Sequence, residues 1–139
     1  MKNLQTTYSF KIRFSEIDAM RVVWHGAYAK YFEDAREAFG KEYELGYQLI
    51  EDNGYYAPIV DLRFQYHKPL RYGMIPEMTI IYRPTEAAKI IFDYEIRDTA
   101  TGEVMATGHS MQVFMDLNYD LVLLNPPFYE KWKERYCEV

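Results

Sequence analysis

The stretch "FSEIDAMRVVWHGAYAKYF", Phe14 to Phe32, decides how the rest of the chain is read. On its near side Tyr8, Phe10, Ile12 and Phe14 alternate with Ser9, Lys11, Arg13 and Ser15, the period of two that marks a half-buried strand. On its far side, from about Gly26, the period changes. Tyr28, Tyr31, Phe32, Ala35, Ala38 and Phe39 recur at helical spacing and form one apolar face. The connection between the two carries one acid, Asp18, and one histidine, His25, seven positions apart. The helix also begins without a Ser, Thr, Asp or Asn to cap it. Gly26 can occupy the cap position, but it brings no oxygen and lets another group approach the backbone closely. The unfilled N–H groups lie at the positive end of the helix dipole, where they can hold an anion or polarise a carbonyl while charge builds on its oxygen.

The 139 residues suit one domain over 1–139, and 49% apolar with 17% aromatic residues is enough to fill a core. Fourteen tyrosines favour half-buried surfaces, because each joins an apolar ring to a polar tip. A formal net charge of −5 argues against nucleic acid as the main partner, since phosphate binding needs a cationic face. The single cysteine, Cys137, excludes an internal disulfide and fits a reducing compartment. With no signal-length apolar run and no membrane-length stretch, the expectation is a cytoplasmic domain with no membrane partner.

Beyond the helix, Gly40 reads as a break, and "KEYELGYQLIEDNG" as a second, weaker helix ending at Asn53-Gly54. Strand patterns follow. Val60, Leu62, Phe64 and Tyr66 alternate with polar residues. After "RYGMIP" comes "EMTIIYR", then Pro84-Thr85-Glu86, then the alternation of Ile90, Phe92, Tyr94 and Ile96. "DTATGE" reads as a hairpin turn with Gly102 at positive φ, and "VMATGHSMQVFMDL" as the last long strand. Asn125 then caps and Pro126 opens a short helix. Successive strands with tight turns imply a mainly antiparallel sheet, and one apolar-faced helix must bury its stripe against it. The expected fold is therefore α+β. Ile81, Ile91, Met105, Met111 and Val113 are left for the other sheet face, which favours self-association.

Asp18 has two readings at this point: a turn former, or a carboxylate facing the same spot as the helix amides. The second arrangement suits acyl transfer, with the amides holding an oxyanion and the carboxylate attacking or activating water. His25 reads either as a half-buried, hydrogen-bonded residue or as part of that site. His25, His67 and His109 are far apart, no Cys stands at ligand spacing, and no metal or cofactor is expected. Neither a Gly-x-Ser-x-Gly elbow nor a glycine-rich phosphate loop occurs.

Over "EIDAMRVVWHGAYAKYFEDARE" the chain resembles the hotdog-fold acyl-CoA thioesterases of the 4-hydroxybenzoyl-CoA thioesterase-like branch, and "RFQYHKPLRYGM" resembles that family's following strand and basic turn. The resemblance implies a five-stranded antiparallel sheet wrapped around one long central helix. It implies a homodimer or a dimer of dimers (a homotetramer), with sites at the interface. It also implies hydrolysis of an acyl-CoA or acyl carrier protein thioester, with Asp18 as the carboxylate and the His25 and Gly26 amides as the oxyanion hole. Val22, Val23, Trp24 and Tyr28 would wall the acyl pocket, with Phe32 read as core. Lys68 and Arg71, beside Pro69, would meet the CoA phosphates or else form a solvated basic turn, with Arg63 behind them. Met20 and Arg21 stand where relatives have small residues, and Ala27 where many have Asn. Two rival readings are a non-catalytic acyl-thioester binding protein on the same fold and a hotdog hydratase.

Overall fold

In the computed structural model, which describes residues 4–137, the alternating stretches do pair as strands. In chain order the elements are β1 (Gln5–Ser9), a 3₁₀ turn (Phe14–Glu16), α1 (Ala27–Tyr43), α2 (Tyr47–Asp52), β2 (Tyr55–Tyr56), β3 (Ile59–Tyr66), β4 (Pro76–Arg83), β5 (Lys89–Asp98), β6 (Val104–Asp116), β7 (Leu121–Val122) and α3 (Pro127–Tyr136). Every pairing is antiparallel. The long strands run in the order β1-β4-β5-β6-β3, so β3 pairs with β6 on one side, from Ile59↔Gln112 to Tyr66↔Ala106.

The sheet has seven strands where five were expected. The two extra, β2 and β7, are two residues each and clasp the far end of β6 at Phe114–Asp116. Strands that short carry no period, so a pattern search passes over them.

One sheet face is apolar because every second residue points to it: Met78, Ile80 and Tyr82 from β4, and Ile90, Phe92, Tyr94 and Ile96 from β5, are all buried. The 17-residue α1 lays its stripe on this face. Phe32, fully buried, stacks on Tyr94 with ring centroids 4.1 Å apart and on Phe64 at 5.0 Å. Phe39 packs on Phe92 and Tyr82, and α3 closes that end with Trp132, whose indole N–H donates to the Tyr43 carbonyl at 2.6 Å. On the opposite face Ile81, Ile91, Met111 and Val113 are half-buried, whereas Met105, expected beside them, is buried.

Three boundaries differ from the sequence reading. The first strand stops at Ser9, and Phe14 is 76% exposed in the 3₁₀ turn. The alternation overran because the chain leaves the edge of β4 after Phe10, whose N–H still reaches the Pro76 carbonyl. Asn125 does not cap α3. Its side chain donates to the Glu86 carbonyl and accepts from Lys133, and Pro126 takes the cap position. Gly40 is not a break but lies inside α1, which ends three residues later, with Glu44 in the left-handed region at φ 57°. Gly102 does take positive φ, 75°, in the β5–β6 hairpin.

Gly40 is small for a reason of contact. A Cβ there would stand 2.7 Å from Gly46 Cα and 2.8 Å from Gly46 N, backbone atoms that cannot swing aside. Helix propensity alone favours Ala by about 0.8–1.0 kcal/mol. The clash should reverse that sign, and Gly40→Ala is expected to lower stability by about 1–3 kcal/mol in urea unfolding. A stabilised variant would show that the α1–α2 junction yields freely.

Candidate active site

The connection from Arg13 to Gly26 is built by hydrogen bonds rather than by packing alone. Glu16, buried at its base, accepts from the Arg13 N–H at 2.8 Å and from the Tyr31 hydroxyl at 2.7 Å, with the Lys30 ammonium 3.7 Å away. The next residues reverse in a tight turn. The Asp18 N–H donates to the Val22 carbonyl at 2.9 Å, and Ile17 bridges Val23. Arg21 takes φ 65°, and its N–H closes on the Asp18 carbonyl at 3.0 Å. Asp18 Oδ1 accepts from the Met20 N–H at 2.8 Å and, more loosely, from the Val22 N–H at 3.4 Å.

The turn-former reading of Asp18 therefore holds for one oxygen. Oδ2 accepts no hydrogen bond among the described residues, and Asp18 lines a cleft of about 270 Å³. The two readings are compatible, because the bonds that tether Oδ1 also orient the carboxylate.

The far wall of the cleft is the tip of α1. Gly26 is its N-cap and no side chain caps it. The tip is fixed from outside: the Val23 N–H donates to the Leu70 carbonyl at 2.8 Å, the Trp24 N–H to the Glu16 carbonyl at 2.9 Å, and the Tyr66 hydroxyl to the His25 carbonyl at 2.9 Å. The Ala27 N–H turns back onto the Trp24 carbonyl at 3.0 Å. Among the described residues the N–H groups of His25 and Gly26 meet no acceptor. Burial raises the Tyr28 and Tyr66 hydroxyls above the ordinary phenol value, so Tyr66 remains a donor at neutral pH.

Of the residues singled out from the sequence, Asp18, Val22, Val23, His25, Tyr28 and Lys68 line this one cleft, and Gly26 stands beside His25 at its helical wall. Trp24 does not line it. The indole is 42% exposed and lies over Gly26, where a Cβ would come within 1.9 Å of the ring. The absence of a side chain at Gly26 thus makes room for an aromatic cover on the helix tip. Arg71 does not line the cleft either. It borders a separate depression with Tyr72, Asp98 and Thr99. The Lys68 ammonium is paired with Glu103, and Arg63 with Asp61 on the strand itself. Phe32 is core, as expected.

Tyr66, His67, Pro69 and Met20 complete the lining. Tyr66 was legible in principle. It shares the parity of Leu62 and Phe64, so it faces the helix, and it ends its strand level with the helix tip. Glu16 gave no signal, because an acid next to a turn reads as solvated. Among the described residues no three His, Cys, Asp or Glu side chains are grouped to hold a metal, and no helix is long and apolar enough to cross a membrane.

The chain as a whole is matched elsewhere. The profile of the thioesterase-like superfamily aligns with residues 12–132. The chain belongs to that superfamily. The resemblance to the hotdog-fold thioesterases drawn from the sequence is borne out, and the chain is a thioesterase. YneP of Bacillus subtilis, named provisionally as an acyl-CoA thioesterase, is 29% identical over 106 residues, 76% of each chain. The DHNA-CoA thioesterase of Staphylococcus aureus superposes with TM-score 0.85 at 24% identity, over 96% of this chain and 89% of its own. Slr0204 of Synechocystis, a 1,4-dihydroxy-2-naphthoyl-CoA thioesterase, superposes with TM-score 0.82 at 18% identity, over 97% of both chains.

If Tyr66 is the strut for the helix tip, Tyr66→Phe should leave the fold intact and cost about 1 kcal/mol locally. Amide exchange at His25 to Ala27 should then quicken by about fivefold. Unchanged exchange would mean that the hydroxyl carries no load.

Proposed function

We propose that this thioesterase hydrolyses acyl-CoA or acyl carrier protein thioesters in the cleft between Asp18 and the tip of α1. The observation that supports the reading is that Asp18, with one carboxylate oxygen accepting no hydrogen bond among the described residues, lines one cleft with His25, whose N–H, like that of the neighbouring Gly26, meets no acceptor among them. In the nucleophilic form of the reaction an Asp18 oxygen attacks the thioester carbon, the thiolate leaves, and water cleaves the resulting anhydride. In the general-base form Asp18 takes a proton from water as that water attacks the same carbon, and the C–S bond of the tetrahedral adduct then breaks, with the thiolate leaving and taking up the proton. Either way negative charge collects on the carbonyl oxygen, where the His25 and Gly26 N–H groups at the positive helix end can meet it.

Val22, Val23, Tyr28 and Met20 supply apolar wall for the acyl group. The exposed His25 side chain would orient water. Lys68 stands at the mouth as the contact for a CoA phosphate, which would have to compete with Glu103. The same reading takes the whole chain as one hotdog domain, working in the cytoplasm and paired with a second copy. The edge of β3 that faces away from β6 and the half-buried outer residues Ile81, Ile91, Met111 and Val113 favour such pairing, in a dimer or a dimer of dimers.

Asp18→Asn should keep the fold and lower kcat by about 10²–10⁴-fold on an acyl-CoA panel read by thiol release, with KM little changed. Full activity in the variant would end the assignment. Tight acyl-CoA binding by the unaltered chain with no thiol released would instead favour a non-catalytic carrier on this fold.

A further inference from the structure

A second polar site lies away from the cleft, on the sheet-facing side of α1. Arg36 is only 8% exposed, yet no Asp or Glu among the described residues stands within ion-pair distance of it. Its partners are neutral. Nε donates to the Tyr47 hydroxyl at 3.2 Å and Nη1 to the Tyr94 hydroxyl at 3.0 Å, which in turn shares a 2.6 Å hydrogen bond with Ser110. A guanidinium cannot shed its charge, and a buried charge without a counter-charge is unfavourable.

Two spaces adjoin it. Arg36, Ile90, Phe92 and Gln112 border a cavity of about 10 Å³, room for one water-sized group. Beyond Tyr47 lies a groove of about 300 Å³ walled by Tyr56, Ala57 and Pro58. Tyr47 lines both. It is 44% exposed and sits on α2, a six-residue helix with Ile50 as its one buried residue, entered at Gly46 and left at Gly54, which has φ 91°. The hydroxyl that occupies Arg36 Nε therefore belongs to a lightly held residue standing between the cation and open space.

We propose that this groove binds a monocarboxylate with an apolar or aromatic body, whose carboxylate displaces the Tyr47 hydroxyl and pairs with the Arg36 guanidinium. The planar fork of Arg matches the two carboxylate oxygens, and the rings of Tyr47 and Tyr56 with Pro58 offer apolar contact to the body. The rim selects single charge. Glu51 on the lining makes it negative, and Gln48 beside it is tied to Glu51 and Asp52, so a second negative charge on the ligand is disfavoured more than one that Arg36 can neutralise. A free acid is what thioester hydrolysis releases, so the site would sense product. That last step rests on the proposed activity, whereas the binding does not.

Benzoate, benzamide and sodium chloride titrated into the whole chain by calorimetry test this. Benzoate should bind, with benzamide at least tenfold weaker and chloride giving no equivalent signal. Tyr47→Phe, which removes the competing hydroxyl, should tighten benzoate at least threefold, and Arg36→Gln, if folded by circular dichroism, should abolish it. Asp18→Asn should bind benzoate within twofold of the unaltered chain, which separates this site from the cleft whether or not thiol release is found. Equal binding of benzamide, weaker binding in Tyr47→Phe, or loss in Asp18→Asn would each overturn the proposal.

Discussion

Three hydrogen bonds hold the tip of α1 where it is: Val23 N–H to Leu70, Trp24 N–H to Glu16, and the Tyr66 hydroxyl to the His25 carbonyl. A helix normally secures its first turn with a capping side chain, which also consumes one of its free N–H groups. Here the securing is done from outside, through the preceding turn and the end of β3, so the tip is held without the His25 and Gly26 amides being used. The rest of the site depends on that separation. A Ser or Asp in place of Gly26 would accept from the Tyr28 or Ala29 N–H, and any side chain there would also meet the Trp24 ring.

The same economy appears at Asp18. A carboxylate is well oriented when one of its oxygens is fixed, and remains available when the other is not. The turn from Asp18 to Val22 provides both conditions: Oδ1 closes the loop, and the left-handed Arg21 lets the chain reverse within four residues. Beneath it, buried Glu16 ties the loop to Tyr31 on the helix that carries the amides. Acid and donors are thereby referenced to one rigid element. The proposed oxyanion site would need this, because donors that must reorganise during the reaction lose much of their benefit.

Much of the architecture was legible because burial on one face imposes a period. β5 and the stripe of α1 follow directly from alternation or helical spacing, β3 does so from Leu62 on, after a register shift that leaves Val60 exposed, and Gly102 marked its hairpin. Period fails where contact is local or lopsided. Phe14 continued the alternation of β1 after the chain had left the sheet, and Gly40 looked like punctuation although its smallness serves a contact with Gly46. At the site, Asp18, Val22, Val23, His25 and Tyr28 could be gathered from one contiguous stretch. Trp24 and Arg71 do not line the cleft with them, and neither the packing of an indole over a glycine nor the direction of a turn after Pro69 has a signature in residue order. The Lys68–Glu103 pair joins residues brought together only by the β3–β6 pairing.

The central claim is geometric: the thioester carbonyl oxygen sits on the uncapped tip of α1 while Asp18 faces the carbon. A crystal structure with an acyl-CoA analogue whose thioester sulfur is replaced by a methylene, leaving an inert ketone, tests it most directly. The account requires the ketone oxygen about 2.7–3.1 Å from the N–H nitrogen of His25 or Gly26, with the Asp18 carboxylate on the open side of the carbon. A ketone bound with its oxygen turned to solvent, or with Asp18 facing away from the carbon, would contradict it.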